Sequence, residues 1–164
     1  MAVQIAVCGP QLCTAAERAT SYRVGQLLAD HDVVLLCGGG GGAMAAASAG
    51  AREHGGLVVG IRPDGDRRTA DEQLTVTVLT DLGQARNAVI VASADAVIVT
   101  GDSWGTFSEL ALAMRRGVPV ISTGRWQVTT ADGPVPGVQQ VSSAEQAVAA
   151  ALAALGSQQR PSDG

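Results

Sequence analysis

Three short segments of this 164-residue chain carry residue types able to do chemistry: Gly38–Gly42, the pair Arg86-Asn87, and Gly101–Glu109. Five consecutive glycines are costly, since each ordered glycine loses on the order of 1 kcal/mol relative to alanine. A fold retains such a run for positive φ, for close approach, or for bare N–H groups. Between a strand and a helix, those N–H groups and the positive helix end suit an anion such as a phosphate, with Met44 of the following turn beside it. The competing reading is tight strand–helix packing with no ligand. Gly40, Gly42 and Ala45 satisfy a loose GxGxxA, but they follow the second strand, and the third ends in Ile61-Arg62 without an acidic ribose partner. A redox dinucleotide would then need Arg62 to meet a 2′-phosphate, and no Gly-Lys-Ser/Thr of a phosphate-loop ATPase follows the glycines.

The third segment reads Gly101-Asp102-Ser103-Trp104-Gly105-Thr106-Phe107-Ser108-Glu109. Thr106 and Glu109 stand at capping-box spacing, which alone would explain them. A carboxylate one turn inside a helix that faces a ligand can also hydrogen-bond a ribose hydroxyl or a water. Trp104 can stack on a base or pack in the core. Arg86 either snorkels from a helix flank or brings its guanidinium to Glu109, bridging a phosphate or leaving group to the carboxylate. In the second case the two charged groups should lie about 4 to 8 Å apart. Arg67, Arg68, Asp71 and Glu72 read as a solvated loop, and neither His31 nor His54 has a sequence neighbour that would make it a catalytic base. Cys8, Cys13 and Cys37 form no CxxC pair, which argues against a zinc site or a disulfide framework, and no metal is expected.

The elements that must position these segments alternate. Strand-like runs at Val3–Cys8, Val33–Cys37 and Leu57–Ile61 are separated by helical stretches at Ala15–Ala29, with Thr14 and Glu17 as a capping box, and at Ala43–His54. Further strands are expected at Thr75–Leu79, Ala96–Thr100 and Val118–Ile121. Helices are expected at Leu82–Ser93 with Asp81 as cap, at Thr106–Arg116, and from Ser142 or Ser143 to Leu155. Residues 123–138, rich in Gly and Pro, suggest no regular element. The order predicts one doubly wound α/β domain with a mostly parallel sheet over residues 1–156 and a polar tail over 157–164. In such a sheet the ligand crevice lies beyond the carboxyl ends of the strands, so the loops starting at Gly9, Gly38 and Gly101 should share one rim.

Composition narrows the function. The chain holds 28 Ala, 20 Val and 21 Gly against one Phe, one Tyr and two Trp, and its net charge is −4. Neither a basic stripe nor an aromatic platform for nucleic acid can be built from this, so no nucleic-acid partner is expected. No apolar stretch reaches 18 residues and no leader is visible, so the expectation is a soluble cytoplasmic protein with no membrane partner.

LLCGGGGGAMAAASAGAREHGGLVVGIRP (35–63) resembles the glycine-rich segment of the lysine-decarboxylase-like Rossmann family, and ARNAVIVASADAVIVTGDSWGTFSELALAMRRGVPVI (85–121) is similar to the rest of its core. Members with known activity are cytokinin-activating nucleoside 5′-monophosphate phosphoribohydrolases, which cleave the N-glycosidic bond to free base and ribose 5-phosphate. The resemblance implies a Rossmann-like fold. It also implies a catalytic pair Arg86 and Glu109, with Gly105 and Thr106 in the phosphate turn. The family's PGGxGTxxE departs here: Gly101-Asp102-Ser103 replaces PGG and Ser108 precedes the last glutamate, so Asp102 would stand beside a phosphate dianion. The ARN and GGGGG forms look more like a branch that includes a molybdenum cofactor carrier. Two functions follow: a hydrolase needing no cofactor, or a non-catalytic carrier of a phosphorylated ligand such as molybdenum cofactor or a nucleotide. A homodimer or higher homo-oligomer is expected in either case.

Overall fold

The computed structural model describes residues 1–158. β1 (Gln4–Cys8) leads into α1 (Ala15–Asp30), whose capping box forms: the Glu17 N–H donates to the Thr14 hydroxyl at 3.2 Å and the Thr14 N–H to the Glu17 carboxylate at 2.8 Å. Next come β2 (Val34–Cys37), α2 (Ala43–Glu53), β3 (Val58–Arg62) and β4 (Val76–Leu79). The second half holds α3 (Arg86–Ala92), β5 (Ala96–Val99), α4 (Trp104–Arg116) and β6 (Val120–Ser122). A small hairpin of β7 (Thr129–Thr130) and β8 (Gly133–Pro134) precedes β9 (Val138–Gln140) and α5 (Ala144–Gln158).

Seven strands form one sheet in the order β4-β3-β2-β1-β5-β6-β9, with every neighbouring pair parallel. This is a doubly wound, Rossmann-like arrangement. The chain starts at the centre, winds out to β4 and returns through α3 to β5, so the order reverses between β1 and β5. At that reversal the loops leaving adjacent strands diverge and open a crevice.

Alternation along the strands builds the two layers. Ile5 and Val7 of β1 pack with residues of α1, α2 and α5, whereas Ala6 and Cys8 pack with α3 and α4. The largest fully buried side chains are all Ile, Leu or Val. The alanine-rich helices let backbones approach closely: a Cβ at Gly25 of α1 would collide with the Ala47 carbonyl of α2, and one at Gly50 with the Tyr22 carbonyl. Among the described residues no helix is long and apolar enough to cross a membrane.

Three sequence expectations need correction. The expected helix 82–93 is split, because Asp81 and Gly83 both have positive φ (54° and 55°). These turns bring the chain out of β4, a 3-10 turn covers Gly83–Ala85, and α3 starts only at Arg86 with no side-chain cap. Residues 123–138 contain the β7–β8 hairpin and the start of β9, which pairs with β6 through Val138 opposite Val120. A three-residue edge strand of one valine and two glutamines after Gly137 has too short an alternation to read. The expected tail loses its first residues to α5, since Gly156 and Ser157 are helical; residues 159–164 lie outside the described residues.

Candidate functional site

The loops after β1, β2 and β5 do share one rim. The Ala43 N–H donates to the Pro10 carbonyl at 3.0 Å, joining the first loop to the glycine run. A Cβ on Gly9 would lie 2.6 Å from the Ala43 Cβ and 2.7 Å from the Thr100 Oγ1, so the three strand ends converge there. The Asp102 N–H donates to Glu17 Oε1 at 3.4 Å, joining the third loop to α1.

Three of the five glycines have clear reasons to be glycine: Gly39 has φ +66°, and a Cβ on it would lie 2.9 Å from the Arg62 side chain. Gly42 has φ +66°, and a Cβ on it would strike the Pro10 and Gln11 carbonyls. A Cβ on Gly38 would lie 2.7 Å from both terminal nitrogens of Arg86 and 2.9 Å from the Met44 Sδ, so the bare backbone lets the guanidinium lie against the loop. Gly38, Met44 and Arg86 are thus brought together, while Gly40 and Gly41 are half-exposed on the rim. Arg62 is an internal brace. Its guanidinium donates to the Gly39 carbonyl at 2.7 Å, to Thr69 at 2.7 Å and to Asp64 at 2.6 Å, which spends the cation that a 2′-phosphate would need. Asp71, read as solvated, donates its N–H to the Gly39 carbonyl at 3.3 Å and has one carboxylate oxygen buried without a partner. Burial raises its pKa.

Beneath the glycine loop, Arg86 Nη1 and Glu109 Oε1 are 3.6 Å apart, with side chains 11% and 9% exposed. This is closer than the expected spacing; α3, which carries Arg86, packs against α4, which carries Glu109. The Arg86 Nε has no hydrogen-bond partner. Burial pushes the Glu109 carboxyl up to about 7, against opposing pulls from Arg86 first and then from the Cys8 thiol. The Cys8 thiol is in turn raised well above its ordinary range, by burial first and then by Glu109. The sequence reading missed Cys8. Its alternation with Ala6 was the available signal, since it assigns the end of β1 to the α3–α4 side.

At the α4 terminus the cap is Ser103, in extended backbone (φ −156°, ψ 162°), whose Oγ accepts the Thr106 N–H at 3.1 Å. The expected Thr106–Glu109 box does not form, because the helix begins two residues earlier and Thr106 is already inside its first turn. Helix geometry leaves the Trp104 and Gly105 N–H groups without intrahelical acceptors. Asp102 is not aimed at that end: its carboxylate accepts the Arg125 N–H at 2.9 Å and the Trp126 N–H at 3.2 Å, pinning the loop after β6. Gly101 is close-packed beside Pro10 and Glu17. Asn87 donates to the Ser108 Oγ at 2.8 Å and so ties α3 to α4. Trp104 is 79% exposed and therefore no core residue. Among the described residues no three His, Cys, Asp or Glu side chains are grouped to hold a metal ion.

Chemically, the rim offers backbone donors above a buried cation, a setting for a phosphate group. The chain is 31% identical to the molybdenum cofactor binding protein of the phototrophic bacterium Rippkaea orientalis, with a TM-score of 0.85 over 93% of this chain and 97% of that one. It is 25% identical to the molybdenum cofactor carrier protein of Chlamydomonas reinhardtii, with a TM-score of 0.82 over 94% and 99% of the two chains. A functionally uncharacterised protein of Archaeoglobus fulgidus is 42% identical over 120 residues, 73% of this chain and 79% of that protein. The SLOG cluster4 family model matches residues 2–151. With that span matched, the chain belongs to the SLOG cluster4 family.

Proposed function

We propose that this protein binds a phosphorylated heterocyclic small molecule at the rim and holds it without turning it over, with molybdenum cofactor as the leading candidate. The observation that carries this reading is the closure of Arg86 on Glu109 at 3.6 Å beneath the glycine loop. An oxocarbenium-like centre must meet a carboxylate or a water that the carboxylate orients. Here that carboxylate is buried and paired with a cation. The donors left to meet a ligand are backbone groups: those of the glycine run other than Gly39, whose N–H donates to the Cys37 Sγ at 3.4 Å, and the first-turn N–H groups of Trp104 and Gly105. Arg86 adds positive charge under Gly38, and Asp102, turned onto residues 125 and 126, does not oppose a dianion at the helix end. The similarity to molybdenum cofactor binding and carrier proteins supports the same reading.

One observation favours the phosphoribohydrolase. A carboxyl whose pKa is pushed up to about 7 can exchange a proton at neutral pH, as a general acid or base must. In that reaction water adds to the ribose C1′, the base leaves with a proton, and ribose 5-phosphate remains. A base-release assay on a panel of nucleoside 5′-monophosphates, run beside calorimetric titration with the same nucleotides and with molybdenum cofactor, separates the two. Saturable binding without base release, weakened by Arg86→Ala, is the expected result. Steady base release abolished by Glu109→Gln would replace the carrier with the hydrolase.

A further inference from the structure

The core is aliphatic, and three of the chain's four aromatic side chains gather on the surface instead: Trp104 and Phe107 of α4, and Trp126 from the loop after β6. The Trp104 and Trp126 ring centroids are 5.0 Å apart at 65°, and those of Trp104 and Phe107 are 6.1 Å apart at 88°. Edge contacts of this kind fix the attitude of a ring while leaving a face of it open. Phe107 and Trp126 pack at 5.8 Å and, with Asp102, suffice to strap the loop to α4. Trp104 also packs on Trp126, yet it leaves 79% of its surface exposed. In front of it lies a cavity of about 370 Å³ lined by Trp104, Phe107, Trp126, Gln127, Val128 and Thr129. That volume suits a small molecule, and Gln127 and Thr129 place hydrogen-bonding groups along its edge.

We infer that this shelf is the subsite for the fused heteroaromatic ring of the ligand, a purine or pterin in class, stacked on Trp104. The inference rests on the proposed binding of a phosphorylated heterocycle and adds where the ring goes. The first-turn N–H groups of Trp104 and Gly105 belong to the same helix end, so the ring and an anionic group of one ligand find complementary partners there. Trp104 and Glu109 are five residues apart, about 140° around α4 at 100° per residue. A ring stacked on Trp104 is therefore held on a different side of the helix from the Glu109 carboxylate, which binds the ligand without exposing its glycosidic bond to that group.

The test is calorimetric titration of the full chain and of its W104L and W104F variants with guanosine 5′-monophosphate and with ribose 5-phosphate, which has no ring. Sedimentation velocity is run on the same samples. Wild type should bind the nucleotide more tightly than the sugar phosphate. W104L should weaken the nucleotide by about fivefold or more, W104F should recover most of that loss, and the sugar phosphate should bind all three alike. Nucleotide binding unchanged in W104L but lost in Arg86→Ala would overturn the shelf and leave the rim standing. Failure of wild type to bind either probe would remove the rim reading and the shelf with it. A fall in assembly size in W104L would make Trp104 a subunit contact and overturn the proposal.

Discussion

Glu109 makes the stability of this protein depend on pH in a direction opposite to that of an ordinary ion-paired carboxylate. Its folded pKa is about 7 against an ordinary 4.5, so the folded state keeps a proton that the unfolded chain releases. Below 4.5 both states hold the proton and the contribution is complete; between 4.5 and about 7 only the folded state does, and stability falls as pH rises. The interval from 4.5 to about 7 corresponds to about 3 kcal/mol at 1.36 kcal/mol per pH unit. Glu109→Gln keeps the shape and removes the titration. The variant exchanges a carboxylic acid for an amide beside Arg86, so its absolute stability is offset by a constant amount from that of wild type with Glu109 protonated. The difference between the two, followed with pH, cancels every other titrating group. Urea denaturation at half-unit steps from pH 4.5 to 8 should show the variant gaining on wild type by about 3 kcal/mol across that range. A flat difference would mean that Glu109 titrates as an exposed carboxylate does. A difference of the opposite sign would mean that Arg86 holds it ionised throughout, and the argument from burial would fail.

Arg86→Ala should destabilise more at pH 8 than at pH 5.5, by about 1–2 kcal/mol in urea melts, because Glu109 escapes the loss of its partner only by protonating. Ser103→Ala should cost about 1 kcal/mol through the lost α4 cap, with Ser103→Asp close to wild type in the same melts. Binding of a phosphate dianion at the rim draws on Arg86 and should be accompanied by proton uptake at Glu109 near pH 7, read as a dependence of calorimetric heat on buffer ionisation enthalpy. Sedimentation at micromolar concentration should give at least twice the 16.5 kDa of one chain; a single-chain mass would refute the expected dimer.

What the sequence disclosed and what it hid divide along the range of the interactions concerned. The Thr14–Glu17 box, the glycine run ahead of α2 and the buried valine-rich strands depend on neighbours a few residues away, and each formed where its local pattern placed it. The pairing of Arg86 with Glu109 stood in the sequence as one of two readings of Arg86, and the resemblance singled it out, because 23 positions separate the two residues in the chain. Cys8, which influences the same carboxylate from 101 positions away, had no local signal except strand alternation. Asp102 shows most plainly why local reading fails at such a site. Judged by the resemblance alone, it sets a negative charge in a phosphate turn. In the fold its carboxylate is taken up by the N–H groups of Arg125 and Trp126, from a segment whose glycines and prolines suggested no regular structure. The same contact brings Trp126 onto Trp104 and Phe107. The residue that departs from the hydrolase pattern thus anchors the loop after β6 and, through it, the contact of Trp126 with Trp104 and Phe107, an arrangement that no local reading of Gly101-Asp102-Ser103 contains.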